Sequence, residues 1–353
     1  MSVSSESLLI SLLSEKLSSQ PLSKQRNSKL SENTNLQVVD LGHSSHVQPA
    51  VVDLEKIAQA FGLSTAQAAD LRSVNLRRSR LNGADLSGLD LSGLDLEESN
   101  LAGANLTRAN LRNTSLRKVN LRGASISEAD LRGADLTGAR LEGCNLINSN
   151  LENANLSSSK LNCYGHQRTR LDFVNLKRAN LTYASLKGVS LHHANLIGAN
   201  LRKSDFSPCQ APDGSYIRSE LTGANLTNAN LRKANLRQAI ATKACLRNVN
   251  LRRGSLQEAQ LTEGDLSNAN LSLCDLSSTC CNGVNFYGAS LSDADLTETD
   301  FEGANITNVR LESLAVENTT FTEAEFDQTD FSSVVLSSRT KQENHQTKWL
   351  RFD

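Results

Sequence analysis

The sequence predicts an all-β solenoid built from short extended sides that alternate with corners. Three observations predict it: a large apolar residue at every fifth position, a small residue two positions before it, and a shortage of large side chains. The chain has 353 residues but only nine Phe, four Tyr, one Trp and one Met. Leu and Ala must therefore fill a narrow core of uniform cross-section.

The five-residue period continues without a slip from Leu71 to Leu336. Leu occupies 40 of its 54 positions, Phe six and Ile two. The other six positions hold His166, Ala211, Tyr216, Ala241, Cys281 and Val316. A repeat this regular determines the fold more strongly than any local feature.

Each repeat has a fixed internal order. A small residue stands two positions before the large one, as Ala104 before Leu106, and Asn or Asp usually stands between them. Alternate residues of an extended segment point to the same side, so the small and the large residue both face inward. Fourteen of the 20 Gly stand two positions after the large residue, where we expect a tight turn with unusual dihedral angles.

Segments such as Ala104-Asn105-Leu106 and Ala134-Asp135-Leu136 resemble the motif A(D/N)LXX of the pentapeptide-repeat family, and the resemblance covers about three-quarters of the chain. It implies an all-β, right-handed quadrilateral β-helix over residues 71–336, with four pentapeptides in each 20-residue coil and about 13 coils. Stacked coils would join through backbone hydrogen bonds, about 4.8 Å apart.

The segments outside the repeat are predicted to differ from one another. Residues 1–50 are rich in Ser, Gln and Asn, and we interpret them as a mostly disordered tail. Residues 51–70 predict a short helical cap, with Asp53 as N-cap and Gly62 as the C-terminal stop. This segment also loosely resembles a helix-turn-helix, but a cap over the open first coil is the preferred interpretation.

The C-terminal segment 337–353 holds the only Trp, Trp349. We expect it to form a cap or a tail, which could fold over the last coil. Some members of the pentapeptide-repeat family dimerise through the C-terminal end, so a homodimer through this end is an alternative.

Two stretches disturb the repeat without breaking its frame. Residues 162–168 lack the central Leu at His166, and residues 207–219 carry Pro208, Pro212 and Gly214, a composition typical of turns. Either irregular sides stay in the wall, or ten residues protrude as a loop over 207–219. The second possibility would move every later repeat by two faces.

No catalytic, cofactor or metal motif is present. The sequence lacks a P-loop, a GxSxG elbow, an HExxH pair and a dinucleotide fingerprint, so we expect no enzyme, no cofactor and no metal. The seven Cys include no CxxC pair and predict reduced thiols in a reducing compartment. Cys144, Cys209 and Cys274 take the small inward position and are interpreted as core residues.

Charge is distributed unevenly along the predicted rod. From Leu71 to Leu256 there are 27 Lys and Arg against 14 Asp and Glu, whereas from Gln257 to Val335 one basic residue, Arg310, faces 15 acidic residues. At four pentapeptides per coil, Arg72, Arg112 and Arg132 share one side. The next side holds Arg77, Arg117 and Lys177. If no loop shifts the frame, Arg232, Arg252 and Arg237 extend these two sides.

These nine residues are the candidate interaction surface, since aligned cations attract an anionic partner. The leading functional hypothesis is a non-enzymatic scaffold that binds a protein partner through its long surface, in the cytoplasm of a bacterium. One alternative comes from the family resemblance: quinolone-resistance members protect DNA gyrase by imitating duplex DNA. The others are nucleic-acid binding through the Arg-rich faces and a secreted bacterial effector. No stretch approaches the roughly 20 apolar residues of a membrane span.

Overall fold

The computed structural model describes residues 76–314 and 316–329. The predicted tail 1–50, the predicted helical cap 51–70 and the C-terminal segment 337–353 lie outside the described residues. Within them there is no helix, and the only strands of two residues are β1 (Cys209–Gln210) and β2 (Tyr216–Ile217). The rest of the wall consists of single-residue parallel bridges separated by turns.

Parallel bridges show the coil directly. Asn100 bridges Asn120 and Asn105 bridges Ser125, so one turn of the chain takes four pentapeptides. Leu101 N–H donates to the Asn120 carbonyl at 2.7 Å, and Asn120 N–H donates to the Ser99 carbonyl at 2.9 Å. Eleven successive bridges link twelve rungs from Asp90 to Glu325, a stack of roughly 53 Å at the usual strand spacing.

The core is the ladder that the five-residue period predicts. Leu101, Leu121 and Leu141 are fully buried, as are the small residues Ala104 and Ala109. Coils bury these side chains against the coils above and below, because a single coil encloses little by itself.

Corners use the left-handed backbone region. Gly103 has a φ of 68°, as the position of the glycines predicts, and Arg108 reaches 59° at the equivalent position. The residue before the central Leu stabilises the corner: Asn105 Oδ1 accepts from the Thr107 N–H at 3.2 Å. The preference for Asn or Asp at this position therefore has a local cause, since their side chains bond the backbone two residues on.

The first irregular stretch leaves the wall. Arg140 bridges Lys160, one ordinary coil later, but Asn145 bridges Arg170 where the same step would reach Gly165, so five residues are inserted. They form a tight turn in which Tyr164 and Gln167 pair antiparallel. His166 lies in this turn and is exposed, which explains the missing Leu at that position of the period.

The second irregular stretch is also an insertion, and this confirms the interpretation of 207–219 as a protruding ten-residue loop. Asp205 bridges Asn235, whereas an ordinary coil would bring it to Asn225, so ten residues protrude. Within them β1 pairs antiparallel with β2, placing Cys209 opposite Ile217. The interpretation that irregular sides remain in the wall is wrong.

A disulfide joins the two insertions. Cys163 and Cys209 are bonded across 46 residues, with their Cα atoms 6.2 Å apart. The expectation that all thiols are reduced is therefore wrong, as is the placement of Cys209 in the core, because its position in the period belongs to the protruding hairpin. Cys144 and Cys274 are buried core residues as expected, and burial raises the pKa of each thiol to about 12.

Because the insertions contain five and ten residues, they change which residues stack. Relative to an uninterrupted count of four pentapeptides per coil, the first insertion shifts the side assigned to every later repeat by one, and the second shifts it by two more. Lys177 consequently stacks on the side of Arg112 and Arg132 and not on that of Arg77 and Arg117, since Asn150 bridges Asn175.

Candidate functional site: a ridge of unpaired cations

One corner of the rod carries basic residues on three successive coils. We call its column of bridging residues the ridge column; it contains Asp95, Ser115, Asp135, Asn155, Asn180, Asn200, Asn230, Asn250, Asn270, Ser290 and Arg310. The two residues of each corner follow the bridging residue by two and three positions. On three coils both are basic, and we call these six residues the basic ridge: Arg202, Lys203, Arg232, Lys233, Arg252 and Arg253.

Backbone hydrogen bonds hold these corners directly above one another. Lys203 N–H donates to the Arg232 carbonyl at 3.1 Å, and Lys233 N–H donates to the Arg252 carbonyl at 3.1 Å. The second residue of each corner has a positive φ, 58° at Lys203 and 61° at Arg253. Stacking at the strand spacing therefore brings six positive charges into a strip about 10 Å long.

Among the described residues, none of these six side chains has a carboxylate within 4.0 Å. The bridging positions beside them hold the uncharged Asn200, Asn230 and Asn250. Like charges at this spacing repel one another, and the described chain provides no compensating anion here.

The first coils of the same column show the opposite arrangement. Arg77 lies 2.7 Å from Glu97 on the next coil, and Arg117 lies 3.9 Å from the same carboxylate. At the adjacent position, Arg78 and Lys118 approach Glu98 at 2.9 and 3.3 Å. The sign of charge alternates from coil to coil there, so these cations are neutralised within the chain.

The aromatic Tyr183 lies at one end of the ridge and the aliphatic Leu273 at the other. Tyr183 precedes it by one coil and is 53 % exposed. Lys203 Nζ donates to Tyr183 Oη at 2.7 Å and lies 4.6 Å from the ring centroid. This hydrogen bond and the lysine charge lower the pKa of the Tyr183 phenol. Leu273 follows the ridge by one coil.

The structure brings together only part of the predicted surface. Arg232 and Arg252 lie in the ridge, and Arg77 and Arg117 lie in the same column but are paired. Three more of the predicted residues form ion pairs away from the ridge. Lys177 lies 3.9 Å from Glu152, and Arg132 lies 2.5 Å from Asp130. Arg237 lies on a third column, 2.9 Å from Glu258. Arg112 shares the column of Arg132, and Arg72 lies outside the described residues.

Sequence reasoning missed Arg202, Lys203, Lys233 and Arg253. The available signal was the recurrence of two adjacent basic residues at the corner positions, as in Arg202-Lys203 and Arg232-Lys233. These two pairs are separated by six repeats, so a strict four-repeat coil places them on different sides. They stack on one column because ten of the residues between them protrude from the wall and do not count toward the coil.

A serine, a histidine and an aspartate meet elsewhere on the rod, but not as a catalytic triad. His192 Nδ1 lies 3.0 Å from Asp172 Oδ1 and 2.8 Å from Ser190 Oγ, while its Nε2 faces Glu220 at 3.3 Å. A triad requires the serine and the carboxylate on opposite ring nitrogens. Ser190 also donates to Asp172, so its hydroxyl is engaged in a structural bond.

This cluster anchors the segments that follow the insertions. Arg168, just after the first insertion, lies 2.5 Å from Glu220, just after the second. Burial favours a higher pKa for Asp172, but hydrogen bonds from Ser190 and His192 outweigh it and lower that pKa. The arrangement stabilises a carboxylate in the wall.

Metal sites and membrane-spanning helices are not found in the part of the chain that the structure describes. No group of three or more His, Cys, Asp and Glu side chains there is arranged to hold a metal ion. No helix in that part has the length and apolar character needed to cross a bilayer. The basic ridge is the surface on which cations without a carboxylate within 4.0 Å stack on three successive coils of the described chain.

The family model described as pentapeptide repeats matches in eight copies, within residues 67–103, 99–138, 124–162, 169–207, 219–254, 255–293 and 282–312. The matched segments leave out 163–168 and 208–218, which contain the two insertions. A comparison with curated proteins found no match.

Among solved structures, the chain is 28 % identical to HetL, a pentapeptide repeat protein involved in heterocyst differentiation regulation from Nostoc sp. strain PCC 7120. That match covers 69 % of this chain and 91 % of HetL, with a TM-score of 0.29. Rfr23 from Cyanothece 51142 is 26 % identical over 41 % of this chain and 89 % of its own, with a TM-score of 0.28. Full-length QnrB1, a plasmid-mediated fluoroquinolone resistance protein, is 17 % identical over 73 % of this chain and 96 % of its own, with a TM-score of 0.22.

Proposed function

Since this chain belongs to the pentapeptide-repeat family, whose model matches more than half of it, we propose that it is a non-enzymatic scaffold that binds another protein chain through the basic ridge. The observation that carries this proposal is the contrast within one column. Cations of the first coils are neutralised by Glu97 and Glu98, whereas the six ridge cations have no acidic neighbour in the described chain.

A partner that supplies carboxylates would relieve the repulsion among the stacked cations. Such a partner gains from corners that the fold has already aligned, so the backbone needs no rearrangement on binding. The protein interpretation is preferred over a single-stranded nucleic acid because aromatic side chains do not alternate with the ridge cations. Tyr183 stands at one end only, whereas single-strand binding uses successive stacking platforms.

The gyrase-protecting, DNA-mimic alternative needs an acidic surface along the rod. Acidic residues predominate only from Gln257 to Val335, where 15 of them face one basic residue, and the ridge has the opposite sign. The ridge therefore favours an anionic partner over imitation of an anion.

The test is fluorescence anisotropy with two labelled polyanions, a polyglutamate peptide and a short DNA duplex. Replacing Arg232 and Lys233 by Ser should weaken polyglutamate binding about tenfold, because two unpaired charges are lost from the centre of the strip. The matched control replaces Arg117 and Lys118 by Ser, at the same corner positions of the same column, and should leave binding within about twofold since these cations are already paired.

Two outcomes would contradict the proposal. Equal losses in both variants would mean that net charge and not the ridge determines binding. Tighter binding of the duplex than of polyglutamate at physiological salt would assign the ridge to nucleic acid.

A further inference from the structure

The ridge column continues beyond the ridge with a change of sign. The coil after Arg252 and Arg253 presents Leu273, the next coil presents Asp293, and the coil after that presents Glu312. These residues lie at successive corners of the one column, since Asn250 bridges Asn270, Asn270 bridges Ser290 and Ser290 bridges Arg310.

Both carboxylates lack a partner within the described chain. Asp293 and Glu312 are exposed, and among the described ion pairs neither takes part in one. Their corners are stacked, because Asp293 N–H donates to the Glu312 carbonyl at 2.7 Å. The corners of the column thus hold unpaired cations on one side of Leu273 and unpaired anions on the other, and the anionic side also contains one exposed cation, Arg310, at the bridging position beside Glu312.

Leu273 is itself unusual for its position. Its φ is 60°, in the left-handed region that is costly for a large side chain and that Gly or Asn adopts more readily. Non-glycine residues at many other corners share this φ, so the distinguishing feature of Leu273 is its side chain. It is only partly buried, and it presents apolar surface at a corner between charged ones.

We propose that the partner of the ridge is a second copy of this chain, lying antiparallel along the ridge column with a two-fold axis at Leu273. This inference rests on the proposed function of the ridge. The axis relates the coil one step before Leu273 to the coil one step after it. Arg252 and Arg253 therefore face Asp293 of the second copy, and Arg232 and Lys233 face its Glu312.

Only the antiparallel arrangement gives this complementarity. A parallel pair in register would oppose cation to cation and anion to anion, which is destabilising. In the antiparallel pair the same patch serves both copies, as an isologous interface requires, and every contact occurs twice. The two Leu273 side chains meet at the axis and provide the apolar centre of the strip.

The predicted interface is distinct from the end-to-end homodimer expected for the C-terminal segment, which lies outside the described residues. It consists of exposed ion pairs around a small apolar centre, so salt should weaken it strongly.

The experiment is sedimentation velocity of the full chain over a salt series. We expect a dimer at low ionic strength that dissociates as salt rises. Arg253→Glu and Asp293→Arg, each alone, should raise the dimer dissociation constant at least about tenfold, because each reversed contact recurs twice across the two-fold axis. The two changes in one chain exchange the charges and should restore dimerisation to within about threefold.

The control is Arg178→Glu, which reverses an exposed cation at an equivalent corner of a different column and should leave the dimer unchanged. Leu273→Asn adds an independent readout. Asn suits a positive φ, so this variant should melt at a higher temperature than the wild-type chain while dimerising more weakly. A variant that merely fails to fold would lower both.

A chain that stays monomeric at every salt concentration would overturn the inference, as would a charge exchange that fails to restore the dimer. The proposed function would survive either result if polyglutamate still binds the ridge in a manner sensitive to Arg232 and Lys233. Loss of ridge-dependent polyglutamate binding together with a monomeric chain would remove both. Dimerisation restored by the charge exchange, and competed by polyglutamate, would establish the second copy as the partner.

Discussion

Cys163 and Cys209 are covalently joined although they belong to two different departures from the wall, 46 residues apart. The bond lies over Gly188: a Cβ atom added at that glycine would stand 2.8 Å from Cys209 Cβ. The two insertions and one corner of the wall therefore form a single packed unit.

The first prediction concerns this bond. Replacing both Cys163 and Cys209 by Ser should lower the free energy of unfolding, by up to about 4 kcal/mol in the chain-entropy account of a loop this long. Urea denaturation under non-reducing conditions measures the loss. Cys245→Ser, which alters a free and partly exposed cysteine, is the control and should cost less than about 1 kcal/mol. Equal effects in the two variants would contradict the disulfide.

The second prediction compares two glycines with nearly equal backbone angles. Gly103 and Gly188 have φ values of 68° and 66°, but a Cβ at Gly103 would meet nothing within 4 Å. Gly103→Ala should therefore cost about 1–2 kcal/mol, the penalty of the left-handed region alone. Gly188→Ala should cost clearly more, because its Cβ would also lie 3.0 Å from the Ile217 carbonyl oxygen. Equal thermal shifts for the two variants would show that the second insertion does not pack on this corner.

The third prediction concerns acid stability. Hydrogen bonds to Asp172 hold the pKa of its carboxyl below the ordinary value of 3.8. Because this pKa is lower in the folded chain than in the unfolded one, the carboxylate contributes stability above pH 3.8 that is lost as the pH falls below it. Asp172→Asn should destabilise the protein at neutral pH by about 1–3 kcal/mol.

The measurement for Asp172 is the urea midpoint as a function of pH. Below pH 3.8 the difference between the wild-type chain and Asp172→Asn should shrink. Glu323→Gln, which changes an exposed carboxylate, should follow the wild-type curve throughout. A constant difference at every pH would mean that Asp172 contributes through packing alone.

The fourth prediction tests how far a core defect spreads. Leu151 is fully buried and its N–H donates to the Asn175 carbonyl at 2.7 Å. Leu151→Asp places a charge in the apolar ladder and should open the adjacent coils, since each coil is stabilised chiefly by its neighbours. Hydrogen exchange should lose protection at the amides of residues 131 and 151 but retain it at Leu291. Uniform loss along the chain would show a globally cooperative rod.

The spacing of residues was sufficient to predict the wall, because Leu at every fifth position and Ala two positions earlier encode the inward faces directly. The same spacing was insufficient to predict which side of the rod each repeat occupies after Lys160. Both insertions are multiples of five residues, so the frame passes through His166 and Ala211 without a shift. The period specifies where a residue stands within a corner, but the number of corners already passed determines its side of the rod.

The stacking of the nine candidate residues was incompletely predicted for the same reason. Arg232 and Arg252 stay together because no insertion separates them, and Lys177 is displaced because one does. Pairing added a second unknown: the acidic partner of Arg77 is Glu97, one full coil later, and this separation has no meaning until the coil length is known. The number of Lys and Arg residues along the chain therefore does not show which cations are neutralised and which are free.

The two insertions protrude from the wall, and this has a consequence for how the surface could change. Removing the five residues of the first insertion would leave every later coil on its present column, because Arg170 would still occupy the side that follows Lys160. Removing one pentapeptide of the wall itself would instead turn all later coils by a quarter turn relative to the earlier ones. Basic corners that now continue the column of Arg77 and Arg117 would then continue a neighbouring edge. Deletions of whole pentapeptides from the wall thus act as angular settings, through which one set of repeats could present the same charges in up to four directions.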